Sequence, residues 1–420
     1  MKIVFINKSD SGGGAAIAAQ RILKCLGRHH QTDNHFIVAK QRLQAPHIYG
    51  TRKKWGWMME SAIDLVSRAL GFQSQWFPIS GAFIQKAVQD IRPDVISLHN
   101  IHSGYFPIRL MPMLSRHAPL VWTFHDMWPI TAGCAHTHGQ TAWKRMEAGS
   151  EERRYYPQMG LHHVHFMMKQ KKRMYEESDL TVVAPSRWLE GLVSESPLLT
   201  GKRIVRIPHP IDTELFRPQD RAAVRLRLGL PVEQPVFIFS AELLNNNEWK
   251  GGPDLFHILR AIDGRINRKG LFLALGRGEL KWEVLKNISI QQTGFLAEER
   301  DVADYLSAAD VLIYPSKADS FGLVLAESLA CGTPAVTYAV DACPEVVVDG
   351  IGGFAVPPND IEQFVDRVME LIEQPSLSQQ LSQGGRRHVE AHYTTKNVAD
   401  QYYQVFVEAI ERRGQSGITT

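Results

Sequence analysis

The chain has 420 residues, 44% of them hydrophobic and 22% charged, with a formal net charge of +3. That length exceeds what a single core usually serves, so two domains of an ordinary soluble composition are expected, and the charge is too small to argue for nucleic acid as a partner. No run reaches the roughly 18 apolar residues of a membrane span, and four scattered cysteines without a CxxC pair fit a reducing, cytoplasmic setting better than a disulfide scaffold.

Residues 1–7, MKIVFIN, are too short for a signal h-region and run straight into glycines, so they read as a first strand. The loop 9–14, SDSGGG, follows, and residues 15–26 carry apolar side chains at helical spacing. A strand, a glycine-rich loop and a helix can cradle a phosphate, because glycine lets backbone N–H groups approach an anion. The same residues suit a plain tight turn equally well. The dinucleotide fingerprint is not met: counting from Gly12, the third glycine would be Ile17, and Lys40 stands where an acid should follow the second strand, 35–39. Residues 51–70 read as a helix with Trp55, Trp57, Met58 and Met59 behind Arg52, Lys53 and Lys54. Such a pattern occurs at membrane surfaces, but a core face with a charged edge is the expected arrangement.

The run 94–98, DVISL, is the next strand and places His99 and His102 at the carboxyl edge of a sheet, where open α/β sheets bind ligands. A further strand, 120–124, ends in His125-Asp126-Met127-Trp128. Cys134, His136 and His138 alternate as metal ligands can, but without a fourth ligand a loop beside the site is the preferred reading. Residues 151–177 read as one helix rich in His, Met and Lys, including His162, His163, His165, Lys169, Lys171 and Lys172, either solvated or turned to an acceptor or an anionic lipid surface. A strand at 180–184 leads to Pro185-Ser186, and 203–218, with three prolines, reads as an inter-domain linker.

Strands are expected again at 235–240, 272–275 and 311–314. They lead into the loop 241–252 with Lys250-Gly251, into Gly276-Arg277-Gly278, and into the stretch 316–336, SKADSFGLVLAESLACGTPAV. That stretch reads as a loop, a helix beginning near Phe321 and a stop at Gly332-Thr333-Pro334. Asp319 lies in the loop and Glu327 eight residues on, about two turns into the helix. The helix N-terminus suits a phosphate, Glu327 can accept a bidentate hydrogen bond from a vicinal diol such as a ribose, and Asp319 can hold the hydroxyls of a second sugar. The plain alternative is a helix cap and a solvated glutamate. Helices at 360–374, 377–391 and 393–412 close the chain, the last with Tyr402, Tyr403, Phe406 and Ile410 on one side.

The spacing from Asp319 to Glu327, the Lys250-Gly251 pair, the Thr293-Gly294-Phe295 turn, the glycines 12–14 and the His125-Asp126 strand end together resemble the retaining GT-B glycosyltransferases of family 4. TFHDMWPITAGC, 123–134, resembles a colanic-acid-type, surface-polysaccharide subgroup. The resemblance implies an α/β GT-B fold: two Rossmann-like domains, 1–207 for the acceptor and 208–394 for the donor, facing a central cleft, with a C-terminal helix, 395–420, crossing back to the N-terminal domain. It implies transfer of a sugar, with retention, from a UDP- or GDP-sugar to a sugar or lipid-linked saccharide acceptor, without metal or cofactor, and with peripheral contact at the inner membrane surface as a further expectation. Carried over residue by residue, His125 and Asp126 belong to the reaction centre, Lys250 to the leaving diphosphate and Asp319 to the donor sugar. Gly12, Gly13, Gly14, Gly294, Phe295, Ser320, Phe321, Gly322, Leu323 and Glu327 surround the donor. This chain departs from the family pattern twice. Asp319 stands where the family usually has Glu, and no arginine occurs between Ser240 and Gly252, Arg277 being a substitute. A GT-B epimerase, a phosphorylase, or a non-catalytic subunit that binds a nucleotide-sugar or a partner enzyme are the alternative readings.

Overall fold

The computed structural model describes residues 1–52, 54–102, 104–147, 155–161, 163–244, 248–279 and 284–415. Lys53, His162 and the first residues of the helix expected from 151 therefore lie outside the described residues, as do residues 245–247 of the Lys250 loop. The chain divides into two compact units, residues 1–210 with 396–420, and residues 211–395.

The first unit is built on seven strands: β1 (Lys2–Ser9), β2 (Asp33–Lys40), β3 (Ile48–Gly50), β4 (Val95–Leu98), β5 (Leu120–Thr123), β6 (Leu180–Ala184) and β7 (Arg203–Arg206). They lie in the order β3-β2-β1-β4-β5-β6-β7, and every pairing is parallel. Parallel strands covered on both faces need apolar residues at successive positions. β1 accordingly sends Val4 and Ile6 into one buried cluster and Ile3 and Phe5 into the other. The chain runs outward from β1 to β3 on one side and from β4 to β7 on the other, so its direction reverses between β1 and β4, where ligands bind in open sheets of this kind. The final helix, Thr395–Gln415, joins this unit: Val398, Tyr402 and Phe406 pack with Ile3 and Phe5, and the Tyr402 and Thr123 hydroxyls lie 3.0 Å apart.

Three expectations are corrected here. The proposed linker begins as strand β7, because Ile204 and Val205 continue the sheet before the first proline at 208. Within the span 151–177, the helix covers only Val164–Glu176; Pro157 and Gly160 interrupt the described residues before it. The helix Lys54–Ala69 does not bury its aromatic face: Trp55 is 85% exposed, and Trp57, Met58 and Met59 are also exposed.

The second unit repeats the plan with six parallel strands: β8 (Val236–Leu243), β9 (Gly270–Arg277), β10 (Ile288–Gly294), β11 (Val311–Tyr314), β12 (Ala335–Tyr338) and β13 (Gly353–Val356). Their order is β10-β9-β8-β11-β12-β13, with the reversal between β8 and β11. Alternation again fills both faces, Val236 and Ile238 on one side and Phe237 and Phe239 on the other. Each unit is thus a doubly wound, Rossmann-like domain. Among the described residues no helix is long and apolar enough to cross a membrane, and all four cysteines are free and buried.

Candidate functional site

In the second unit, the loops after β8 and β11 meet because those strands are neighbours. Lys317 N donates to the Trp249 carbonyl at 2.8 Å, and the Ser316 hydroxyl donates to the same oxygen at 3.1 Å. Gly251 follows with φ 70, and a β-carbon on it would lie 1.8 Å from the Pro315 carbonyl oxygen. Only glycine permits this approach, and the approach sets Lys250 over the loop that carries Asp319. The Lys250 ammonium donates to Asp319 Oδ2 at 2.5 Å and to the Tyr314 hydroxyl at 2.8 Å, while that hydroxyl donates to Asp319 Oδ2 at 2.6 Å. Burial opposes charge on both ionised groups, and their mutual attraction outweighs it. The lysine is held above its ordinary range and the aspartate below its own.

The other carboxylate oxygen, Asp319 Oδ1, accepts from Phe321 N at 3.2 Å and Gly322 N at 2.8 Å. The helix itself is Leu323–Ala330, two residues later than expected, because Gly322 takes φ 88 as its N-cap. Asp319 is therefore both the partner of Lys250 and the cap of this turn, and the first two N–H groups offered to a phosphate are occupied by it. The N–H groups of Leu323, Val324 and Leu325 precede the first bond into the helix, from Ala326 N to the Gly322 carbonyl. Glu327, one turn on, is only 7% exposed, so the solvated alternative fails for it. Ser320 and Leu323 are half-buried beside the turn and Phe321 is buried in it.

Gly294 ends β10 with φ 73 and open space where a side chain would begin. Phe295 follows it, 44% exposed, with the Arg277 guanidinium 4.1 Å from its ring centre. Arg277 thus stacks on Phe295. Lys317, a further cation of the β11 loop, pairs with Asp254 at 2.9 Å.

In the first unit, the loop after β1 has Gly12 and Gly13 at φ 76 and 79, and the helix begins at Gly14, with Ala16 N and Ile17 N donating to the Gly13 carbonyl. Histidines converge at the ends of β4 and β5. His99 Nδ1 and His125 Nε2 are 3.1 Å apart, and the far nitrogen of His99 is 3.1 Å from the Ser97 hydroxyl. The His125 ring stacks on His99 with centres 5.3 Å apart and on His209 with centres 5.1 Å apart. Burial holds all three imidazoles neutral, with His99 and His209 pushed well below their usual range and His125 pushed down to about 4. Asp126 faces elsewhere: Oδ2 lies 2.8 Å from His102 Nε2, and Oδ1 accepts from Trp128 N at 2.8 Å. Burial raises its pKa, but His102 and the Trp128 N–H together bring it below the usual carboxylate range. Its geometry is that of a positioning group.

The His136 and His138 rings meet edge to face with centres 4.8 Å apart, but among the described residues Cys134 does not join them in a metal-binding group. Cys134 is buried, His136 stacks on Trp188, and His138 packs on Tyr155. Sequence reasoning missed two participants. Tyr314 read only as the end of a strand, yet a hydroxyl at a carboxyl edge beside a reversal point was a usable signal. His209 lay within the expected linker 203–218, and nothing local linked it to His125.

Comparison with known proteins follows this geometry. Residues 12–215 match the profile described as Glycosyltransferase Family 4, and residues 221–388 match Glycosyl transferases group 1. A D-inositol 3-phosphate glycosyltransferase of Saccharomonospora viridis is 31% identical over 217 residues, 48% of this chain and 49% of the relative. The chain spans about half the length of the curated relatives it matches. Among solved structures, the sucrose-phosphate synthase of Thermosynechococcus elongatus superposes with a TM-score of 0.68 at 18% identity, covering 98% of this chain and 99% of that one. Anabaena Alr3699/HepE in complex with UDP-glucose gives 0.67 at 16% identity, covering 97% of this chain and 100% of that one. Each compact unit carries its own glycosyltransferase family match, and the chain belongs by family to the group 1 and family 4 glycosyltransferases, with the two-domain GT-B fold.

Proposed function

We propose that the chain transfers a sugar, with retention and without a metal ion, from a UDP- or GDP-sugar to a hydroxyl of a sugar or lipid-linked saccharide acceptor. The observation that carries this reading is the Lys250–Tyr314–Asp319 constellation at the loop that leads into the helix of the buried Glu327. A buried carboxylate on that helix suits a ribose diol, and the first N–H groups of the same helix suit a phosphate. The incoming diphosphate competes with Asp319 for the Lys250 ammonium, and Asp319, once released, can accept from the hydroxyls of the donor sugar. Lys250 then stabilises the charge that develops on the leaving group. The neutral His125, too weak a base at about 4 to hold a proton near pH 7, orients a hydroxyl, and the departing phosphate takes the acceptor proton.

In this reading the second unit binds the donor and the first binds the acceptor, with Gly12, Gly13 and Gly14 turned to the diphosphate and Gly294 with Phe295 to the base. One structural neighbour, Anabaena Alr3699/HepE, is a complex with UDP-glucose, which supports a nucleotide-sugar donor. For the acceptor, the 123–134 segment supports surface-polysaccharide assembly, while the name of the curated relatives supports a small phosphorylated acceptor. Peripheral membrane contact through the exposed Trp55, Trp57, Met58 and Met59 belongs to the same proposal. The test is proton NMR of reactions with UDP- and GDP-sugars, with and without EDTA. A product with the donor's anomeric configuration, formed in EDTA, supports the reading. Inversion, dependence on added metal, or conversion of the donor sugar without transfer contradicts it.

A further inference from the structure

A pocket of about 240 Å³ lies in the first unit past the carboxyl ends of β1 and β2, beside the reversal point of the sheet. Lys8, Lys40, Arg52 and Arg68 line it together with Asp64, Gln73 and Ser74. Its guanidinium groups have acidic partners: Arg52 faces Glu60 at 3.4 Å, and Arg68 faces Asp64 at 3.1 Å. Glu60 is further engaged by Ser80 N at 2.9 Å. Among the described residues no carboxylate pairs with Lys8 or Lys40, so the pocket keeps two cations in excess. Burial first, and then the neighbouring charges of Lys8, Arg42 and Arg52, hold the Lys40 ammonium below its ordinary range.

Three lining atoms are also without a hydrogen-bond partner among the described residues, and two of them sit on deeply buried side chains. These two are Arg52 Nε, on a side chain 4% exposed, and the hydroxyl of Ser74, 3% exposed. Buried donors are rarely left unmet, and both can donate to an anionic oxygen. Gly104 keeps the space open: a β-carbon there would lie 2.8 Å from the Asp64 carboxyl carbon. The pocket is tied to the His125 segment, because Gln73 Oε1 accepts from Trp128 Nε1 at 2.7 Å.

We propose that this pocket is the anion subsite for the acceptor, taking a phosphate or carboxylate carried by the sugar that receives the transfer. The inference rests on the transferase reading above and adds the charge class of the acceptor to it. Excess lysines beside unmet buried donors are features a neutral sugar does not require, and a cation would be repelled.

The full chain is titrated calorimetrically with inorganic phosphate, glucose 6-phosphate, glucuronate and glucose. The anions are expected to bind and glucose not, the tighter of glucose 6-phosphate and glucuronate naming the group. In a Lys8→Gln, Lys40→Gln double variant, both at the rim of the pocket, anion affinity should fall at least about tenfold. It should persist in Lys250→Ala, which removes the cation of the donor site. Unchanged anion affinity in the lysine double variant, or its loss in Lys250→Ala alone, overturns the pocket assignment. UDP and GDP are titrated alongside: binding to the lysine double variant at wild-type affinity leaves the transferase reading standing whatever the anions do. Failure of both nucleotides to bind the wild-type chain removes that reading and the acceptor assignment with it.

Discussion

Lys250 and Asp319 neutralise one another, and this sets what each substitution should do. On the proposed reading Lys250→Ala removes the charge facing the leaving group, so the transfer rate should fall on the order of 10²–10³-fold, as for loss of one transition-state donor, with a smaller change in donor affinity. Glu327→Ala should do the reverse, weakening nucleoside diphosphate binding about tenfold or more by losing a charged hydrogen bond to the ribose. Steady-state rates and calorimetry on the two variants separate these effects, and similar losses in both quantities for both variants would count against the roles. The histidine stack predicts a pH effect of definite sign. His99, His125 and His209 have folded pKa values below the unfolded value of about 6.5. The unfolded chain therefore binds more protons below that pH, and stability present above about pH 6.5 is lost as pH falls towards 4. Each pH unit between the two pKa values is worth about 1.4 kcal/mol per histidine. Thermal melts from pH 7 to 4.5 should show a falling Tm, with a shallower slope in His125→Asn. A Tm independent of pH across that range would contradict the buried, neutral assignment. The Asp319 pair does not confuse the reading, because a lowered carboxylate loses its contribution only at more acidic pH.

The elements that carry the site are held by close backbone approaches, and two glycines with similar dihedral angles should behave differently. Gly251→Ala would drive a β-carbon against the Pro315 carbonyl oxygen, whereas Gly294→Ala meets open space. Both incur the left-handed penalty of about 1–2 kcal/mol, but only Gly251→Ala must also separate the two loops. Its cost should reach about 3 kcal/mol, a Tm fall of roughly 6–12 °C, against about half of that for Gly294→Ala. Equal effects in scanning calorimetry would mean that the Lys250 loop is not locked as described. These approaches explain what was readable beforehand. The apolar runs of β1, β4, β5, β6 and β11 announced themselves because strands covered on both faces must be continuously apolar, and Lys250, Asp319 and Glu327 came with their spacing. The exposed face of Lys54–Ala69 could not be read, since tryptophan and methionine at helical spacing describe a core face and an open one alike. The cap formed by Asp319 was the plain alternative at that position, but its pairing with Lys250 could not be read, because it depends on how the loops after β8 and β11 meet.

At the scale of the whole molecule, two doubly wound sheets each place their candidate site residues at a reversal of strand order, β1 against β4 and β8 against β11. Such a layout was visible from the repeated strand, loop and helix pattern, but not the return of His209 to the first unit's histidines, 84 residues after His125 in the chain. The last helix completes the first unit's core through Tyr402, whose hydroxyl meets Thr123. Tyr402→Phe should cost about 1 kcal/mol for the hydrogen bond, and Tyr402→Ala about 3–5 kcal/mol for the buried ring, both read by urea denaturation. Equal costs would show that the ring contributes nothing to the packing. The central claim is that the second unit takes a nucleoside diphosphate sugar through Glu327 and the Lys250–Asp319 pair. Calorimetric titration of UDP, GDP and ADP into the wild-type chain and Glu327→Ala, each with and without EDTA, tests it most directly. The account predicts that UDP or GDP binds the wild-type chain equally well in EDTA and binds the variant at least about tenfold more weakly; binding of none of them to the wild-type chain, or equal binding to both proteins, would contradict it.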